Sequence, residues 1–504
     1  MKTSFDRWEI VFVCAVVFAG LALRIQLALM TFFNPDEALY AVSTFGSFRE
    51  ALHNAIRFPH PPFLAVITYL VARVSRTEFA LRLVPVLAGS AFPLLLFFWL
   101  RRLAGGVAAM AALLLLELSP SLIALSAQLR NYMLAFFFLS ASLLALETAL
   151  RRNRWQWMAV YSLLLWLCIV SDFSVAWCVV AAGIYVLLRF LGSDRACSLA
   201  SKGTWAAGQA VALMLYALLF AFQIQRFRTE SEKRHVVDGW LREAYPHPGH
   251  MMEFPIANSL KQFSYLMASE PMGRIAFVAF VAGIILLWIP PSRVQRKLAW
   301  PLAVLLVLPF LLGIAGAYAH ESPYGGSRQS CVLGVFGAMG IGIFVSAFPR
   351  RIVLALVGGM LLLATLWPFT PYPETISQDW DQKQQIKECL EYMRANIPPE
   401  VLVFTEDETF NVLAYYAGNE KLWPPTGIRG AFEEKPLGSR WRVATRDYGY
   451  VTREAYDSAM AAFRRQYGLR ADEPVWVLDG GWVQVTPPDE RLRFTRAVRV
   501  YQAR

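Results

Sequence analysis

Apolar runs long enough to cross a bilayer recur along most of this chain, and that feature limits what it can fold into more than any other. A helix needs about 20 apolar residues to span the hydrocarbon. Such runs lie at roughly 9–33, 81–100, 104–122, 132–150, 155–171, 174–191, 204–222, 274–290, 298–317, 329–348 and 352–370, so eleven spans are expected. Lipid offers no hydrogen-bond partner to the backbone, so each run must pair its own N–H and C=O groups as a helix. Composition agrees. Residues of the set AVILMFWYC make up 56% of the chain and charged residues 17%, against roughly 25% charged in soluble proteins. Mean hydropathy is +0.41. The 35 Phe and 16 Trp suit a chain with rings at a bilayer interface. A soluble enzyme, a secreted module and a disordered hub are excluded.

Basic residues set the expected orientation. Residues 61–74 are apolar but too few to cross, and they read as a helix along the membrane surface. With eleven spans and the N-terminus inside, the short cytoplasmic turns hold Arg101-Arg102, Arg151-Arg152-Arg154, Arg195 with Lys202, Arg293-Arg296-Lys297, and Arg350-Arg351. Counting 61–74 as a span would put all of them outside, against the positive-inside rule. A multi-pass plasma or inner membrane protein with an external C-terminus is expected. Lys2 and Arg7 precede a run too long for a signal-peptide core, which reads as a retained first anchor. The first external loop is itself basic, with Arg49, Arg57, Arg73, Arg76 and Arg82, and suits an anionic lipid phosphate. The six cysteines show neither CxxC pairing nor a His partner at metal spacing.

Three segments then face outward at length: about 34–80, about 223–273 and the tail from about 371 to 504. The tail has 18 Lys and Arg against 20 Asp and Glu, while the rest of the chain has 30 against 17. That shift marks a domain boundary between a membrane domain, 1–370, and a small extracytoplasmic α/β domain, 371–504. In the tail, 377–396, 408–417 and 453–467 read as helices, and 401–404, 475–478 and 482–485 as strands. It has no readable catalytic cluster, so packing or acceptor recognition is its expected part.

The residues able to do chemistry gather at the outward turns. Asn34-Pro35-Asp36-Glu37 is a standard helix start, with Asn at N-cap, Pro at N1 and Glu at N3. An adjacent Asp36-Glu37 pair where the first span leaves the membrane would equally supply a base at headgroup level. His60 is aimed by Pro61-Pro62 toward substrate or phosphate, although a lone His is more often a bystander. Arg130, in Gln128-Leu129-Arg130-Asn131-Tyr132, offers a planar fork of donors for phosphate; its bland alternative is interfacial snorkelling. Tyr324-Gly325-Gly326-Ser327-Arg328 places another Arg beside backbone that a ligand can approach. Glu117 and, more weakly, Arg24 are ionisable groups inside spans, where they are costly. His247 and His250 make a poor metal pair without a third ligand.

In their order, these residues resemble the polytopic GT-C glycosyltransferases, in the branch of protein O-mannosyltransferases and the lipid A aminoarabinose transferase. The likeness rests on Asp36-Glu37-Ala38-Leu39-Tyr40, His60-Pro61-Pro62, Glu78 to Pro85, Arg101-Arg102-Leu103-Ala104-Gly105 and Ser126 to Tyr132. It covers about residues 8–170. It implies an inverting transferase that moves a hexosyl or pentosyl group from a polyprenyl-phosphate donor to a lipid, glycan or protein acceptor of the cell envelope. In that reading Asp36 and Glu37 are catalytic, and His60, Arg130, Tyr132, Tyr324, Arg328 and Glu117 bind phosphate or substrate. No acid lies between Ser119 and Tyr132, so the resemblance implies neither a two-loop metal site, unless Glu117 completes one, nor a cofactor. Nucleic acid is not an expected partner. The rival reading is a transporter or flippase of lipid-linked saccharides, which calls for acids or broken helices near the midplane.

Overall fold

The structure is a computed structural model that describes residues 6–57, 61–192, 194–227, 237, 241–289, 294–349, 380–421, 432–446, 453–480 and 499–503. Its helices run α1 (Arg7–Met30), α2 (Pro35–Ser43), α3 (Phe48–Arg57), α4 (Pro62–Val74), α5 (Glu78–Ala104), α6 (Gly106–Leu118), α7 (Pro120–Ser126), α8 (Tyr132–Arg152) and α9 (Trp155–Ser171). They continue with α10 (Ala176–Leu191), α11 (Leu199–Phe222), α12 (Phe254–Met267), α13 (Glu270–Leu286), α14 (Arg296–Tyr318) and α15 (Leu333–Val345). Among the described residues six helices are long and apolar enough to cross a membrane, or eight if each of two bent pairs counts as one span. One pair, α6 with α7, bends by 59° at Ser119-Pro120; the other, α12 with α13, bends by 113°. Helices occupy ten of the eleven expected spans, but α9 and α15 are short, with 17 and 13 residues. The eleventh, 352–370, lies outside the described residues. The surface helix expected at 61–74 is α4.

The chain divides into two compact units. The first comprises 1–27, 56–64 and 82–376. In it α8 packs on α9, α9 on α11, α10 on α14, and α15 against α6, α13 and α14. Small residues set the closest approaches: a methyl on Gly283 would meet the Gly340 carbonyl, and one on Gly342 the Ala108 carbonyl. The basic turns gather at one end of the bundle. Arg101 at the end of α5 bonds Glu9 at the start of α1 at 2.7 Å, and Arg102 donates to Thr148 at 2.9 Å. Arg189 joins Glu147 at 3.1 Å. The segment at 223–273 is partly helical: α12 is held when Ser119 Oγ donates to the Leu266 carbonyl at 2.6 Å.

The second unit comprises 28–55, 65–81 and 377–504. Its tail contains α16 (Trp380–Asn396), β1 (Leu402–Glu406), α17 (Asp407–Tyr416), β2 (Glu433–Leu437), β3 (Trp441–Arg446), α18 (Arg453–Tyr467), β4 (Val475–Asp479) and β5 (Arg499–Ala503). The sheet order is β2-β3-β1-β4-β5. The inner strand β1 is parallel to β3 and β4, and the outer strands are antiparallel to their neighbours. Period-two alternation sends Val403, Val443 and Leu478 to the face covered by α16 and α17. Their neighbours Phe404, Ala444 and Val477 join Phe463 and Tyr456 of α18 on the other face. Helices α16, α17 and α18 and strands β1 and β4 fall where the sequence pattern puts them, while β2, β3 and β5 are additional. The expected strand at 482–485 is outside the described residues.

The loop from the first helix belongs to this same unit. Helix α2 packs on α17. Arg73 Nη2 donates to the Phe45 and Gly46 carbonyls at 2.7 and 2.6 Å, and the Arg76 guanidinium lies 4.6 Å from the Phe45 ring centroid. Arg73 and Arg76 are thus engaged within the fold.

Candidate functional site

In the second unit the start of α2 forms the capping box that its sequence spells. The Asn34 side chain accepts the Glu37 N–H at 2.9 Å, and Glu37 Oε2 accepts the Asn34 N–H at 3.1 Å. Pro35 sits in the first turn. Glu37 is fully buried, whereas Asp36 is half-buried on the same turn.

In the first unit, connectivity brings three turns to the bundle end opposite the basic ones: 127–131, Asp172 and 319–332. Helix α7 ends at Ser126, and the chain turns back through a buried stretch. Gln128 is 2% exposed, Arg130 5% and Asn131 7%. Loops ordinarily run over the surface because their polar backbone needs water, so a buried arginine in one is held there by its surroundings. Tyr132, which opens α8, lies within electrostatic reach of the Arg130 and Arg328 guanidiniums and of the Asp172 carboxylate. Arg328 stands in a 3-10 turn, Arg328–Ser330. That turn is fixed from α12, since Ser330 donates to Gln262 Oε1 at 2.8 Å.

Tyr324 anchors the same turn. Its side chain is fully buried and its hydroxyl shares a 2.5 Å hydrogen bond with Ser259. Asn258 Nδ2 donates to the Tyr324 carbonyl at 2.9 Å, and the Tyr324 N–H donates to the Ala244 carbonyl at 3.0 Å. Glu117 is engaged with Arg24 in a fully buried ion pair of 2.7 Å. Arg24 also donates to the Glu117 carbonyl at 3.0 Å and to Ser126 Oγ at 3.2 Å. Gly20 and Gly89 leave room for these side chains, because a methyl at either would collide with Glu117 or Ser126. His60 lies outside the described residues. His247 bonds the Arg242 carbonyl at 2.6 Å, and His250 faces Glu253 at 3.5 Å in an exposed pair.

The sequence reading missed Asp172. It ends α9 and accepts the Ser174 N–H at 2.9 Å through Oδ1, while its buried Oδ2 has no protein hydrogen-bond partner among the described residues. The signal was present: an acid at the junction of two apolar runs, on the side where Arg130 and Arg328 also fall when spans are counted. Gln262 Nε2 and Gln329 Oε1 are likewise buried without a protein partner among the described residues. Together these groups offer two cations, a phenol, an acid and amides at one end of a bundle, a set able to bind an anion attached to a polyol.

The comparisons agree with this fold. Residues 59–220 match the profile of the family described as dolichyl-phosphate-mannose-protein mannosyltransferase. Among solved structures, the chain is similar to ArnT from Cupriavidus metallidurans in the apo state, at 14% identity and a TM-score of 0.53, covering 98% of this chain and 97% of that one. The same protein bound to undecaprenyl phosphate matches at 14% identity and a TM-score of 0.50, over 94% and 92%. The Archaeoglobus fulgidus oligosaccharyltransferase tethered with an acceptor peptide matches at 12% identity and a TM-score of 0.55, over 95% and 70%. No curated protein sequence matches the chain. The fold is the polytopic GT-C fold of these solved structures.

Proposed function

We propose that this chain is an inverting glycosyltransferase that moves a sugar from a polyprenyl-phosphate donor to a lipid, glycan or protein acceptor at the outer face of the plasma or inner membrane. The observation that carries the reading is that Arg130 and Arg328, from turns far apart in sequence and with Arg130 buried, both lie within electrostatic reach of Tyr132. Two guanidiniums suit a departing phosphate, whose charge grows as the glycosidic bond breaks. Asp36 is the base. It takes the proton of the acceptor hydroxyl or amine as that atom attacks the anomeric carbon. The bond from that carbon to the phosphate oxygen breaks, and the polyprenyl phosphate leaves on the arginines. Asp172 and the buried glutamines hold sugar hydroxyls. Glu37, Tyr324 and Glu117 support the fold around these groups, and His60 contributes to donor binding. Arginine does the work of charge neutralisation, so the reaction runs without a metal, and transfer persists in EDTA.

The rival reading, a flippase, draws on the two bent helix pairs and the buried Arg24–Glu117 pair. The two are separated in two steps. Mass spectrometry of lipid-linked sugars and envelope glycans in cells with and without the protein identifies a missing glycan product. The purified protein in detergent, given the corresponding donor and acceptor, then makes that product. A flippase has no sides to connect in a micelle and makes none. An unchanged glycan profile, or no turnover in detergent, overturns the transferase reading.

A further inference from the structure

The contacts that the tail makes with the Asp36 loop are specific as well as apolar. Tyr415 and Tyr416 end α17. The Tyr416 hydroxyl accepts the Phe33 N–H at 3.1 Å and donates to the Glu78 carboxylate. The Tyr415 hydroxyl donates to the Arg76 carbonyl at 2.7 Å. Its ring centroid lies 4.6 Å from that of Phe33 and 6.2 Å from that of Phe45. Phe32 is fully buried in the core built by α16, α17 and the sheet. Phe32 and Phe33 directly precede Asn34, the N-cap from which α2 and Asp36 begin. Both ends of the external loop, at Phe33 and at Arg76 to Glu78, are therefore tied to two consecutive tyrosines of the tail.

We infer that Tyr415 and Tyr416 are positioning residues that hold the Asp36 helix in its reactive register, so that the tail is a working support of the catalytic loop. This rests on the proposal that Asp36 is the base. Its physical content is a short lever. Three residues separate the Phe33 N–H from Asp36, and an attacking group must be aligned closely enough that a misplacement of about 1 Å can cost about 10²-fold. A nine-residue helix is too short to be stable alone, so α2 depends on its packing for its register.

The test uses the full-length chain in deletion cells, with variants at matched membrane levels and the missing glycan product as the readout. Tyr416→Phe removes one hydroxyl and keeps the ring. It lowers product accumulation by between about 10- and 10²-fold, while Tyr467→Phe, on the opposite face of the sheet, stays at the wild-type level. Asp36→Asn combined with Tyr416→Phe is no worse than Asp36→Asn alone, since a residue acting through Asp36 has nothing left to act on. In the purified protein, hydrogen exchange rises in residues 33–43 of Tyr416→Phe with the sheet unchanged. Should Tyr416→Phe fail to accumulate, Tyr415→Phe serves the same comparison. Wild-type product from both tyrosine variants overturns the inference and leaves the Asp36 reading standing. An active Asp36→Asn variant overturns both.

Discussion

Asp36 and Glu37 are neighbours with different surroundings, and on the proposed mechanism that difference separates a structural carboxylate from a chemical one. Glu37 is fully buried and returns the hydrogen bond of Asn34 in the capping box. Asp36 takes no part in that box. Asp36→Asn keeps size and leaves the cap intact but cannot accept a proton, so transfer falls by about 10²–10⁴-fold with donor binding retained. Glu37→Gln keeps an acceptor oxygen for the Asn34 N–H, so its transfer stays near wild type. Rates and donor binding of the two purified variants decide the matter. Near-normal transfer in Asp36→Asn would leave that residue only the helix dipole to complement. The capping box was legible because it depends on residues three apart. The nearness of Asp172 to Tyr132 was not, because the two stand on turns far apart in sequence.

At the scale of elements, the Arg24–Glu117 pair pins α1 to α6 inside the first unit. Removing one partner leaves a buried charge, which costs about 3–5 kcal/mol, while replacing both with apolar residues is often neutral or better. Glu117→Ala therefore lowers the thermal midpoint in detergent sharply, and Arg24→Leu with Glu117→Leu recovers most of the loss. A different case arises in the tail. Glu406 ends β1 and caps α17 by accepting the Glu408 and Thr409 N–H groups at 2.6 and 2.7 Å. Burial pushes its carboxyl up from 4.5 to about 8. The folded state then holds a proton that the unfolded chain has released, so stability falls as pH rises between those values. Hydrogen exchange of α17 should be slower at the acid end of that window than at the alkaline end, and Glu406→Gln should flatten the difference. The same domain shows why some strands went unread. Glu433-Glu434-Lys435-Pro436 has no apolar alternation, and its proline is tolerated because β2 is an edge strand.

For the whole molecule, the charge pattern predicts an orientation that labelling tests. The turn at Asn153 lies among the basic turns and is expected inside; Ser439, exposed between β2 and β3, is expected outside. With the six natural cysteines replaced, an impermeant maleimide added to intact cells labels Ser439→Cys at once and Asn153→Cys only after lysis. The reverse pattern would put the tail in the cytoplasm and remove the outer-face reading of the reaction.

The sequence by itself determined that this is a membrane chain with a polar α/β tail, because lipid and water impose opposite demands on each stretch of backbone. It also determined local starts such as Asn34 to Glu37, whose partners are three residues apart. Tertiary structure alone decided which distant residues meet: Arg24 with Glu117, 93 residues on, and Phe33 with Tyr416, 383 residues on. Membrane helices that are apolar on every side do not declare in sequence which face turns inward. Only the packing of small residues and the pairing of the few buried polar groups choose that face, and with it the composition of the site.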